Sequence, residues 1–132
     1  MRTFIFYAAA AISLGGCATA PPEDYSGAIA ASVPPSESIK AQIVRDARTF
    51  LADPYSIRDA GISNVATFNN GSQGVCVRAN ARNKMGGYSG RQNLAVIIRN
   101  GVLVGNVPNH PLCARPDVPW NEFPELEALK NL

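Results

Sequence analysis

The sequence predicts an α+β fold: one N-terminal helix packed on a small antiparallel sheet of about four strands. Three observations predict it. Apolar residues recur with helical spacing between Ile39 and Leu51. Apolar and polar residues alternate between Gln73 and Asn83, the period of a half-buried strand. Asn100-Gly101 stands between two apolar runs, a strong local signal for a two-residue hairpin.

The helix begins at Ser36, which follows Pro34-Pro35 and can cap its first turn. Ile39, Ile43, Val44, Ala47, Phe50 and Leu51 form its apolar face, and Lys40, Gln42, Arg45, Asp46 and Arg48 the polar one. Mixed charge on the polar face favours packing in a core over lying on a membrane. Asp53-Pro54 ends the helix, because proline disfavours helical backbone in the residue before it. Residues 55–60 are expected to be a turn or short link, residues 62–68 a strand, and Asn69-Asn70-Gly71-Ser72 a turn. In the next strand Val75, Val77, Ala79 and Ala81 point one way, and Cys76, Arg78, Asn80 and Arg82 the other. Residues 84–91 are a glycine-rich loop. Leu94 to Ile98 is a buried strand, and Val102 to Val107 returns beside it through a type I′ turn. The proline-rich stretch from Pro108 is irregular. Residues 120–132 are expected to form a short helix that packs Leu126 and Leu129.

The formal net charge is +2, which by itself implies no partner, and no nucleic acid is expected. The distribution is more informative. No acidic residue lies between Asp59 and Asp117, whereas Arg78, Arg82, Lys84, Arg91, Arg99 and Arg115 do. Either the acidic flanks fold back on this basic segment, or it forms a surface facing an anionic component.

Residues 1–20 carry a resemblance. Met1-Arg2 is basic, Thr3 to Leu14 is apolar, and Leu14-Gly15-Gly16-Cys17 follows. The apolar run is too short to span a hydrocarbon core, which needs about 20 residues, and has the proportions of a cleavable export signal. Leu14-Gly15-Gly16-Cys17 resembles the lipobox of bacterial lipoproteins at all four positions. The resemblance implies removal of residues 1–16, diacylglyceryl transfer to the Cys17 thiol and acylation of the new amine. It implies a bilayer as partner through acylated Cys17. Ala18 in place of Asp implies the outer membrane, facing the periplasm, over the inner membrane. Residues 17–35 would then be the lipidated cysteine and a flexible tether, and residues 36–132 one small domain. A tether of that length spans about 60 Å extended and about 25 Å when flexible.

Export sets the reading of the other cysteines. In an oxidising compartment Cys76 and Cys113 are expected to form a disulfide. A free catalytic thiol at Cys113, or a zinc site with His110, are the alternatives. Zinc would lack a fourth structural ligand, and no metal or cofactor is expected.

The densest polar constellation is Arg78, Asn80, Arg82, Asn83 and Lys84, followed by a loop containing Tyr88. Backbone amides of a glycine loop beside cations can hold an anion. Asn80 and Asn83 can instead hydrogen-bond the loop's own backbone. The spacing is not that of a phosphate-binding loop, since Lys84 precedes the glycines. The run from Cys76 through Asn80-Ala81-Arg82-Asn83 to Gly86-Gly87-Tyr88-Ser89-Gly90, with Asp53-Pro54 upstream, resembles a family of small uncharacterised exported proteobacterial proteins. That resemblance implies a shared fold and no particular activity.

The functional expectation is a membrane-anchored envelope lipoprotein acting as a structural or binding module and not as an enzyme. Arg78, Asn80, Arg82, Asn83, Lys84 and Tyr88 are the candidate ligand-binding residues, and an anionic envelope component or an envelope protein is the candidate partner. The alternative is a small envelope hydrolase or transferase using Cys113 with His110, or Ser89. Ser89 lacks the spacing of a nucleophile elbow. The segment 60–116 holds no pair of carboxylates for glycosidase-like chemistry.

Overall fold

The computed structural model describes Gly16 and residues 24–132. Cys17 and residues 1–15 of the expected export signal lie outside the described residues. The fold is α+β. A short helix α1 (Ser26–Ala30) and a longer helix α2 (Glu37–Phe50) precede the strands β1 (Arg58–Ser63), β2 (Ala66–Thr67), β3 (Gln73–Asn80), β4 (Gln92–Arg99), β5 (Val102–Pro108) and β6 (Trp120–Glu122). Helix α3 (Pro124–Glu127) follows. The sheet has six strands, in the order β5-β4-β3-β1-β6, with β2 on β3, and every pairing is antiparallel.

Two expectations are corrected here. The sheet is larger than four strands, because β1 starts at Arg58 within the expected link 55–60, Ala66–Thr67 forms a separate β2, and β6 pairs with β1. The main helix is not the first, because α1 forms within residues 24–35, the part of the expected tether that is described. Those residues are packed on the domain. Ile29 is buried against Cys76, Leu112, Cys113 and Val118, and Tyr25 meets Phe68 edge-on. Val33 bridges to Val65, and Arg115 donates to Ser26 Oγ at 2.9 Å. One apolar anchor gives too weak a period to read from sequence, so docking decides this helix.

Ser36 caps α2 as expected, its Oγ accepting from Ile39 N at 3.2 Å. Ile39, Ile43 and Ala47 pack on one face of the sheet with Ile62, Val75, Val77, Val96, Ile98, Phe123, Leu126 and Leu129. Asn100 and Gly101 both have positive φ (51° and 74°), the backbone of a type I′ turn. The other face is covered where the Cys76–Cys113 disulfide pins a 3₁₀ turn (Pro111–Ala114) to β3. Beyond that patch, the same face carries Arg78 and Asn80 toward the β1–β6 edge.

Candidate functional site

The sequence constellation divides into two structures. The first is a clasp. The Arg82 guanidinium pairs with Asp53 at 2.9 Å, and Arg82 N donates to Ser56 Oγ at 2.8 Å. Tyr88 OH donates to the Ser56 carbonyl at 2.7 Å, and Arg82 and Tyr88 bridge through their backbones. Arg58 lies 3.7 Å over the Tyr88 ring. Asn83 Oδ1 accepts from Met85 N at 3.0 Å and Gly87 N at 3.2 Å, so two amides of the glycine loop turn inward. Gly86 has φ 82° and Gly90 φ 95°, a backbone that only glycine adopts without strain. The clasp accounts for Asp53-Pro54, Arg82-Asn83 and Gly86-Gly87-Tyr88 occurring together: they tie the β3–β4 loop to the 3₁₀ turn at Pro54–Ser56. Lys84 is left exposed in the loop.

The second structure is a half-open cavity of about 420 Å³ at the β1–β6 edge, within the usual size range of small-molecule sites. Arg78 and Arg91 line it together with Trp120, Gly61, Asp59 and Glu122. The Arg78 guanidinium carbon lies over the Trp120 ring, 4.1 Å from its centroid. Gly61 stands opposite Arg78 in the β1–β3 ladder, and a Cβ there would come within 2.9 Å of Arg78 Nε. Glycine therefore lets the guanidinium cross β1 to reach β6. The β1–β3 ladder slips between Arg58 and Gly61, and Asp59 within the slip has φ 54°. Irregularities of this kind re-aim side chains at strand edges.

Charge marks this cavity out. Burial first, and Arg91 second, hold the Arg78 guanidinium below its ordinary value. Among the described residues, neither arginine forms a salt bridge. Arg78 Nε and Asn80 Oδ1 are buried without a hydrogen-bond partner among the described residues. Two like charges held together with no carboxylate in ion-pair contact among the described residues are costly to the free fold, and a bound anion relieves that cost. A larger depression of about 870 Å³ lies on the same face between α1 and β4. Its lining is mostly neutral, with Tyr25, Phe68, Ile97 and Val107 prominent.

Of the candidate residues, Arg78 lines the cavity and Asn80 lies next to it on the same face of β3. Arg82, Asn83 and Tyr88 hold the clasp. Arg91 and Trp120, which complete the cavity, were not among the candidates. Arg91 was visible as part of the basic segment, and Trp120 as the single tryptophan. Cys113 Sγ is bonded to Cys76, so it supplies neither a nucleophilic thiol nor a zinc ligand. His110 Nδ1 accepts from Leu112 N at 3.1 Å and serves as a cap.

Gly61→Ala tests the arrangement. The new methyl displaces the flexible end of Arg78 and spares the backbone, so the fold is retained. Losing the cation–π contact costs about 0.5–1 kcal/mol, or about 2–4 °C in Tm. The Trp120 emission spectrum, recorded without interference from another tryptophan, should shift as the guanidinium leaves the ring. An unchanged spectrum would show that Arg78 does not depend on the glycine.

No family model matches the chain, and no curated protein or solved structure matches it either.

Proposed function

We propose that this chain is a lipid-anchored envelope lipoprotein whose folded domain binds an anionic ligand in the Arg78–Arg91–Trp120 cavity. The observation that carries the binding reading is the pair of arginines lining one cavity with no carboxylate in ion-pair contact among the described residues. A guanidinium stacked on an aromatic ring keeps its outer N–H groups directed at a planar carboxylate or a phosphate. An anionic envelope component, or an acidic face of an envelope protein, is the partner this chemistry suits.

The anchor rests on Leu14-Gly15-Gly16-Cys17. A single acyl chain holds a protein only marginally, whereas two or three hold it firmly, at about 0.8 kcal/mol per buried CH₂. The disulfide supports an oxidising compartment, and Ala18 supports the outer membrane, facing the periplasm. The expected tether shortens to residues 17–23, because residues 24–35 pack on the domain. A span of that length holds the domain within about 25 Å of the bilayer even when fully extended.

Cys17→Ser is the test of the anchor. The substituted chain should fail to incorporate a clickable palmitate analogue during growth. A Cys17→Ser chain that still labels with palmitate would contradict the anchor.

A further inference from the structure

The sheet edge farthest from the cavity is β5, and no charged residue occurs along it. Val102 and Val104 are each just over half exposed, and Val107 is exposed as well. Val102 pairs with Arg99 and Val107 with Ala95, which packs against the disulfide cluster. Directly paired residues share a face, so both valines stand on the face that α1 partly covers. Between α1 and these strands lies the depression of about 870 Å³. Phe68, Ile97 and Val107 line it, together with Arg99 and Asp24. Arg99 is exposed, and among the described residues it makes no ion pair. An exposed apolar patch of this kind marks a protein or membrane contact.

Asp24 decides between the two. On the anchor reading, only residues 17–23 separate it from the acylated end. Their reach is about 25 Å at full extension and about 15 Å when flexible. A folded domain of this size is about 35 Å across. The side bearing Asp24 is therefore the side turned to the bilayer. A further strand added to β5 fits less well. Gln42 already occupies the Gly101 carbonyl and Leu103 N, at 2.8 Å and 3.3 Å, and Pro108 has no N–H to offer.

We infer that the β5 edge and the depression beside it rest on the bilayer surface, with the valines among the headgroups and Arg99 at a lipid phosphate. The inference rests on the anchor at Cys17 and deepens it from an attachment to an orientation. Asp24 is acidic, but its carboxylate accepts from Ser26 N at 2.9 Å and is stabilised by nearby Arg115. The strand order puts β6 four strand spacings, or about 19 Å, from β5. The Arg78–Arg91–Trp120 cavity is thereby turned away from the membrane. The contact is too small to hold the domain without the acyl chains and acts only on a chain already tethered.

Tryptophan emission measures this orientation. The acylated chain is purified from membranes, its acyl chains are verified by intact mass, and it is incorporated into vesicles of phosphatidylethanolamine and phosphatidylglycerol. The lipid acyl chains are either plain or brominated, and bromine quenches only a tryptophan close to them. The parent reports from β6 through Trp120, its single tryptophan. Val102→Trp with Trp120→Phe reports from β5, at an exposed position that spares the core. Emission of this variant should fall at least twofold on brominated vesicles, while that of the parent stays the same. Val102→Trp alone should show a smaller loss of the same kind, which covers any disturbance of β6 by Trp120→Phe.

Equal emission of both variants on plain and brominated vesicles carrying the acylated chain overturns the inference and leaves the anchor standing. An unquenched blue shift that grows with the density of chains assigns the face to a second copy and overturns it likewise. Quenching of the parent as strong as that of the β5 reporter overturns the orientation. An intact mass without acyl chains overturns both the anchor and the inference.

Discussion

Reducing the Cys76–Cys113 disulfide should lower the thermal midpoint by roughly 15–20 °C. The bond joins β3, the central strand, to an irregular stretch rich in proline, across a sequence separation of 37. Closing a loop of that length removes chain entropy from the unfolded state worth about 4 kcal/mol. A domain of this size unfolds with an entropy of about 0.2 kcal/mol per kelvin, which converts the loss into that shift. The native consequences are local. Cys76 and Cys113 are buried with Ile29, Leu112 and Val118, so reduction also loosens the cluster on which α1 docks. The measurement is a thermal melt by circular dichroism with and without dithiothreitol, repeated on Cys76→Ala with Cys113→Ala. The two routes should agree. A shift under about 5 °C by both would mean that the hydrophobic cluster, and not the covalent bond, holds the stretch in place.

Much of the fold was legible because the signals are local. Ser36 followed by helical spacing, the alternation around Val75 and Val77, and Asn100-Gly101 each encode a conformation within a few residues, and the structure contains all three. The disulfide was legible through compartment chemistry. What escaped was decided by distant partners. β6 is three residues long, too short to show a period, and exists because Trp120 to Glu122 pair with β1. β1 begins at Arg58 with a slip that breaks the alternation a reader would look for. α1 is alanine-rich and carries a single buried anchor, Ile29.

The candidate site was half legible for the same reason. The basic segment and its glycine loop are visible in sequence, but which arginines are neutralised is a property of folding. Arg82 finds Asp53, and Arg115 finds Asp117. Among the described residues, Arg78 and Arg91 find no carboxylate within ion-pair distance, and a tryptophan far along the chain completes their cavity. The acidic flanks do fold back, therefore, but selectively.

Arg91→Glu is the charge reversal with the largest expected effect on binding. Arg91 is exposed, so the substitution leaves the core intact. It puts a carboxylate beside the Arg78 guanidinium, occupying the group that would meet the ligand and repelling the anion. Loss of one charge-assisted contact and gain of one repulsion amount to about 3 kcal/mol, or about 100-fold in affinity. Arg48→Glu on α2 makes the same charge reversal on the opposite face of the sheet and serves as the control for net charge.

The most direct measurement is co-sedimentation of residues 18–132 with isolated envelope fractions, because this piece lacks both Cys17 and the apolar run before it. The account predicts that the chain pellets, that added salt releases it, and that Arg91→Glu abolishes pelleting while Arg48→Glu does not. Equal pelleting of Arg91→Glu and its parent would contradict the assignment of the Arg78–Arg91–Trp120 cavity as the binding site.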